Sequence, residues 1–292
     1  SFAALCAKAR LQSLNEAASA ALPVVPGPVP PLQPLSPQFP PAARLLHELG
    51  LDREAEATLA EAESDVQRAH PGRSDEALCL LYSQLSSGER AYRVGQRLAS
   101  AQELNRAPQL GRRWLWNCVY PRPYAGLVSK VAEQHGLDSE LIYSVMRQES
   151  SFRPEVVSPA NAVGLLQLMP RTAERLSAEL GVVFVPSDLR RPQANVKLGG
   201  YYLRKLVSAF DGSLPLAIAS YNAGPSAVTY WLEHAQGLEL DVFVARIPYE
   251  ETRSYVERVL GNYARYRYLQ RGEELSLALA LPIAKAECRE MY

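Results

Sequence analysis

Glu149 is the residue at which chemistry could begin. It lies in DSELIYSVMRQES, residues 138–150, where Ile142, Val145, Met146 and Glu149 fall at i, i+3, i+4 and i+7 and share one helix face. The face that buries Ile142 and Met146 therefore also carries a carboxyl. Asp138 is placed to cap the start of this helix. Arg153 precedes Pro154 and is pushed out of the helical region, so the helix is expected to stop near there, with Glu149 in its last turn. Partial burial and the negative end of the helix dipole both disfavour the ionised form and raise the pKa. A carboxyl kept protonated near neutral pH suits a general acid. Taken alone, the stretch is better read as a surface glutamate fraying off a helix end.

The neighbouring stretches shift that balance. In SPANAVGLLQLMPRTAERL, 158–176, Pro170 opens a helix and Gln167 stands between Leu166 and Leu168, too apolar a setting for a solvated side chain. SYNAGPSAV, 220–228, puts Tyr221 and Asn222 at a helix end that Gly224-Pro225 breaks. IPYEETRSYVERVLGNYARY, 247–266, carries Glu250, Glu251 and Arg253 in the first turn of a long helix. Each has a plain structural explanation as a cap, a turn or a dipole-favoured acid. Together they set polar groups at several helix ends, the way a cleft is lined.

The elements that must position these groups are helical. The expected helices in the second half cover 124–136, 138–151, 170–181, 195–210, 213–222, 225–236, 239–246 and 250–271, and VVFVP at 182–186 is the only strong strand-like run. The fold class is all-α. Residues 1–21 read as a helix, followed by LPVVPGPVPPLQPLSPQFPP, 22–41, whose nine prolines suit a polyproline-II-like connector. Two helical pairs come next. In the first, Gly50 terminates one helix in a left-handed conformation with Leu51 packing back, and Asp52 can cap the next. The second pair is broken at Ser87-Gly88. The pairs fit the end of an α-solenoid or an ordinary bundle. Three segments are expected: 1–41, 42–113 and, after the proline-broken strip WLWNCVYPRPYAGLV at 114–128, a domain over 114–292.

Composition excludes some classes. The 292 residues suffice for two domains or one large one. Lysine plus arginine equals aspartate plus glutamate, 31 each, which gives no reason to expect a nucleic-acid or anionic-membrane partner. No apolar run approaches the roughly 20 residues of a membrane span. Cys6, Cys79, Cys118 and Cys288 lie far apart without a CxxC or Cys/His cluster, so no metal site is expected. Each cysteine reads first as a buried free thiol, with one or two disulfides left open. His47, His70, His135 and His234 are scattered and read as surface or packing residues. The chain begins with Ser1 in a helical pattern, shows no signal peptide, and reads as trimmed.

RQESSF, SPANAVGLLQLMPRTA, NVKLGGYYL, IASYNAGPSAV and IPYEETRSYVERVL, in this order and at these separations, resemble the soluble lytic transglycosylases of bacterial cell-wall metabolism. YPRPY resembles the segment before their catalytic domain, and the helical pairs resemble their superhelical and linker regions. Asn161 stands where the family usually has glycine, Leu166 replaces a usual methionine, and Ser220 a usual alanine. The resemblance implies a goose-type-lysozyme-like domain, a periplasmic location, no cofactor, and non-hydrolytic cleavage of the bond between N-acetylmuramic acid and N-acetylglucosamine. It implies Glu149 as acid and then base, assisted by the substrate acetamido group, with the sugar's own 6-hydroxyl closing a 1,6-anhydro ring. Tyr221 would bond near the acetamido group or the acid. Ser158, Gln167, Met169 and Asn222 would line glycan subsites, and Glu251 would reach the muramoyl sugar. Met169 reads equally well as a core residue; Tyr230 and Trp231 could stack on sugar faces but read first as core; and Glu251 has a strong plain reading as a first-turn acid that stabilises its helix. Two alternatives stand beside this. One is a hydrolytic muramidase with Asp188 or Glu155 as second carboxylate. The other is a non-catalytic scaffold whose helical pairs hold glycan strands or other cell-wall proteins.

Overall fold

The structure is a computed structural model. It describes residues 1–14, 34–86, 88–283, 285, 288 and 291. The end of the first expected helix, most of the proline-rich connector and Ser87 lie outside the described residues. The helices are α1 (Phe2–Ser13), α2 (Pro41–Glu48), α3 (Asp52–Glu61), α4 (Glu63–Ala69), α5 (Ser74–Tyr82), α6 (Glu89–Leu98), α7 (Ala101–Leu104), α8 (Arg113–Val119), α9 (Ala125–His135) and α10 (Ser139–Ser150). They continue with α11 (Pro170–Glu179), α12 (Pro192–Ala209), α13 (Leu214–Ala223), α14 (Pro225–Glu233), α15 (Leu240–Ala245) and α16 (Glu250–Arg271). The fold is all-helical. Among the described residues only two isolated antiparallel bridges occur, Val157 with Val163 and Val163 with Leu168. VVFVP at 182–186 is not a strand. Among the described residues it pairs with no strand, Val183 is 93% exposed, and the run leads into a 3-10 turn at Pro186–Arg190.

The chain divides into two compact units. One holds the described part of 34–125 together with 151–153. In it α2 packs on α3, α4 on α5, and α8 on both α5 and α6. Leu59, Leu78 and Leu81 are fully buried at its centre. Gly50 ends the first pair in the left-handed region at φ +74°, and the Leu51 amide returns to the Leu46 carbonyl at 2.9 Å, as expected. Asp52 is not a cap. It occupies the first helical position, and its carboxylate accepts from the Ser86 amide at 3.0 Å and contacts His47 Nδ1 at 2.6 Å. The free-thiol reading fails for Cys79 and Cys118, which form a disulfide, Cα–Cα 5.8 Å; it holds for the buried Cys6 and Cys288. The two bonded cysteines are 39 residues apart in sequence, and only the packing of α5 on α8 brings them together.

The other unit holds α1, 126–150 and the described residues from 154 onward. Its axis is α16, against which α10, α13, α15 and α1 pack. α12 lies on α13 and α11 on α12. Tyr255, Val256, Val259, Leu260 and Tyr263 form the buried stripe of α16 that these helices share. Arg10 of α1 holds Asp241 of α15 through two bonds of 2.9 and 2.7 Å. After α16, Leu275, Leu277 and Leu279 alternate inward along an extended segment.

Candidate active site

α10 ends at Ser150, within a residue of the expected 151 and ahead of Arg153-Pro154. Ser150 is buried and returns its hydroxyl to the Met146 carbonyl at 3.1 Å. Ser151 and Phe152 then take left-handed conformations, φ +52° and +67°. Two consecutive non-glycine residues there cost about 1–3 kcal/mol each and persist only where the surroundings impose them. Full burial of the Phe152 ring offsets that cost here. The break leaves Glu149 in the last turn of a helix whose Ile142, Val145 and Met146 are fully buried. The Glu149 side chain is half-buried beside them.

Its one hydrogen bond among the described residues comes from the Tyr255 hydroxyl, which donates to Oε1. Burial raises the pKa of Glu149, the Tyr255 bond works against that, and the charge of Glu251 adds to the rise; the result is about 7 against an ordinary 4.5. At neutral pH this carboxyl divides between acid and conjugate base. Tyr255 itself titrates far above the ordinary tyrosine range, through burial and the charge of Glu149, so it remains a donor.

A loop over 156–168 forms the second wall. Its limbs meet at the two antiparallel bridges. Asn195, fully buried in α12, holds it: its amide donates to the Val163 and Leu189 carbonyls at 2.8 and 2.9 Å and accepts from the Leu166 amide at 2.8 Å. Gly164 is at φ +84°, and a Cβ there would lie 2.3 Å from Asn195 Nδ2, so only glycine fits. Gln167 sits in a left-handed conformation, and its amide donates to the Gly164 carbonyl at 2.8 Å and the Val156 carbonyl at 3.2 Å. The apolar setting expected for Gln167 is therefore a folded turn that uses its side chain internally. Ser158 Oγ accepts from the Ala162 amide at 3.0 Å, and Asn161 between them is left-handed, φ +66°, as asparagine tolerates.

α13 and α16 supply the remaining groups. The Tyr221 hydroxyl donates to the Leu166 carbonyl at 2.7 Å, joining α13 to the loop. Its pKa rises well above the ordinary value through burial and the charge of Glu149, with Tyr202 behind it at 5.3 Å between rings. Asn222 Oδ1 accepts from the Thr252 hydroxyl at 2.6 Å, joining the end of α13 to the start of α16. Glu251 is exposed in the first turn of α16.

Of the expected residues, Glu149 senses the charge of Glu251 and Tyr221 that of Glu149, and Gln167 and Asn222 hold the framework around them. Ser158 caps its own loop, and Met169 is 42% exposed at the head of α11. Tyr230 is 55% exposed, which excludes it from the core. Asp188 pairs with Arg191 at 3.2 Å, and Glu155 is exposed on the loop. Two residues of the site were not singled out from sequence. Tyr255 was legible at i+4 from Glu251 on the apolar stripe of α16. Asn195 opens the NVKLGGYYL stretch, whose resemblance marked the segment but gave this residue no role. Among the described residues no cluster of His, Cys, Asp and Glu gathers as a metal site.

A carboxyl held near neutrality beside a tyrosine and a second acid has the ionisation that general acid–base chemistry requires. Residues 126–243 match the family model described as the transglycosylase SLT domain. The chain is similar to the soluble lytic murein transglycosylase of Salmonella typhimurium, 34% identical over 166 residues that cover 55% of this chain and 26% of that one. It is also similar to the crystal structure of the 70 kDa soluble lytic transglycosylase of Escherichia coli, TM-score 0.60 and 26% identity over 78% of this chain and 35% of that one. The fold is also similar to that in a complex of the 70 kDa soluble lytic transglycosylase with bulgecin A. There the TM-score is 0.67 at 24% identity, over 94% of this chain and 42% of that chain. The chain thus spans about a quarter of the length of the curated relative and under half of the solved ones.

Proposed function

We propose that this chain is a peptidoglycan lytic transglycosylase that cleaves the MurNAc–GlcNAc bond without water and leaves 1,6-anhydromuramoyl ends. The observation that carries the reading is the ionisation of Glu149 near neutral pH, about 7, with a hydroxyl donor fixed on one oxygen. Protonated Glu149 gives its proton to the bridging oxygen. The muramoyl acetamido group shields the positive charge that develops at C1, a route outside the two-carboxylate rule. Tyr255 then stabilises the carboxylate that remains, because a hydrogen bond to the charged form favours it. That carboxylate takes the proton of the 6-hydroxyl as its oxygen bonds to C1, which returns Glu149 to its acid form. An internal hydroxyl reacts at effective molarities of about 10⁵–10⁸ M, far above that of water. The pairing of Asp188 with Arg191 and the exposure of Glu155 support the reading that neither activates a water.

Tyr221 acts by fixing the loop at Leu166 and by presenting its oxygen to the substrate side. Ser158, Gln167, Met169 and Asn222 border the glycan, and Glu251 meets the muramoyl sugar while holding Glu149 protonated. The domain spans 114–292, and the helical pairs of 42–113 position glycan strands or other cell-wall proteins. The Cys79–Cys118 disulfide suits the periplasm, an oxidising compartment. No described helix is long and apolar enough to cross a membrane.

Digestion of purified peptidoglycan in heavy-oxygen water tests the reaction. The expected muramoyl products are lighter by one water than hydrolytic ones, lack a reducing end and carry no label at C1. Labelled reducing ends as the main product would make the protein a muramidase.

A further inference from the structure

Tyr249 has no place in the proton transfers, yet its position is unusual. It caps the start of α16 directly before Glu250 and Glu251, and it is 56% exposed. Trp231, half-buried on α14, packs perpendicular to it with ring centroids 5.0 Å apart. An exposed tyrosine alone needs no explanation. A tyrosine braced by a tryptophan loses rotamer freedom and presents a fixed face.

Its distance from the acid can be read along α16. Tyr255 reaches Glu149. Tyr249 precedes it by six residues, about 9 Å along the axis at the helical rise. A polymer held at Glu149 reaches that point within the next sugar or two. The chemistry at that point is mixed: an apolar ring face beside the exposed carboxylates of Glu250 and Glu251. A pyranose matches both, with C–H groups on one face and hydroxyl donors around its edge. An acyl chain or an apolar peptide would leave the two carboxylates unmatched.

We propose that Tyr249, braced by Trp231, is a stacking platform for a pyranose of the glycan strand beyond the sugars at the scissile bond. This rests on the glycan reading above. The platform gives affinity for chain length without choosing between sugars, because a ring face recognises any pyranose.

The test is calorimetric titration with chito-oligosaccharides of increasing length, from disaccharide to hexasaccharide, in a Glu149→Gln background that blocks turnover. The gain in affinity with length should shrink roughly 3- to 10-fold in Tyr249→Ala. It should be kept in Tyr249→Phe and Tyr249→Trp, which retain a ring. Tyr249→Leu serves as a second ringless variant should Tyr249→Ala misfold. An undiminished gain in the ringless variants overturns the platform. So does absence of any length dependence in the parent while that protein, with Glu149 restored, releases anhydromuramoyl products. A length dependence that needs the ring, in a protein that leaves peptidoglycan intact, keeps the platform and overturns the proposed reaction.

Discussion

The two ends of α10 carry carboxyls that meet the same helix, α16, and titrate in opposite directions. At the start, Asp138 is partly buried, which pushes its pKa up, but a hydrogen bond from Tyr263, bonds from Arg271 at 2.9 Å and Arg267 at 3.1 Å, and their charges hold it below its ordinary value. Beside it the buried Glu140 receives Arg271 at 2.7 and 3.1 Å. At the end, burial pushes Glu149 up to about 7, the charge of Glu251 adding to the rise and the Tyr255 hydroxyl opposing it. The carboxylates are the same chemically, and so is the packing partner. Both ends receive a phenol, Tyr263 or Tyr255, that favours the ionised form; what differs is that α16 adds two guanidiniums at Asp138, while at Glu149 burial and the charge of Glu251 prevail. One end fastens the helix and the other is left able to exchange a proton.

The largest effect expected from breaking this contrast is at the acid. Glu149→Gln should lower turnover by about 10²–10⁴-fold or more, because the amide keeps the shape and cannot supply a proton. The same variant should be more stable than its parent at alkaline pH. The folded-state pKa of Glu149 lies above its ordinary 4.5, so the folded state binds more protons between 4.5 and about 7. The parent therefore loses stability as pH rises through that window. The difference should be near zero at pH 4 and reach up to about 3 kcal/mol above pH 8 in denaturant unfolding. A variant that stays equal to the parent at both pH values would show that Glu149 ionises freely.

Next comes the fastened end. Arg271→Ala removes the partner of a carboxylate only 4% exposed, Glu140, and should destabilise the fold by about 2–3 kcal/mol. The pH midpoint for activity of the purified folded variant should stay where it was, since Glu149 lies at the other end. A shift of that midpoint without loss of stability would reverse the assignment. Smaller still is Tyr255→Phe. Losing the donor should lower turnover roughly tenfold and move the alkaline limb of activity to higher pH, because the ionised form loses its hydrogen bond. A limb displaced to lower pH would mean that Tyr255 does not hold the carboxylate.

Much of the site could be read in the chain because it lies at helix ends, where periodicity, caps and prolines all mark the boundary. Ile142, Val145, Met146 and Glu149 share the face that their spacing assigns, and three of them are fully buried. The boundaries of α10 and α16 fall within a residue of expectation. What periodicity missed depends on tertiary partners. Asp138 and Asp52 look like caps in sequence, but their carboxylates serve Arg271 and Ser86, residues far along the chain. The disulfide joins cysteines that no local spacing pairs. The Val182–Val185 run has β propensity and, among the described residues, no second strand to use it. Gln167 shows the reverse case, since its apolar neighbours marked it as special while the turn it closes was not legible.

Carbon-13 NMR titration of the side-chain carboxyls, with Glu149 assigned by its loss in Glu149→Gln, tests the central contrast most directly. The Glu149 resonance should move with a midpoint near 7, and that of Asp138 with a midpoint below its ordinary 3.8. A Glu149 midpoint near 4.5 would contradict the account, since a carboxyl ionised throughout the neutral range could not give up the proton that starts the reaction.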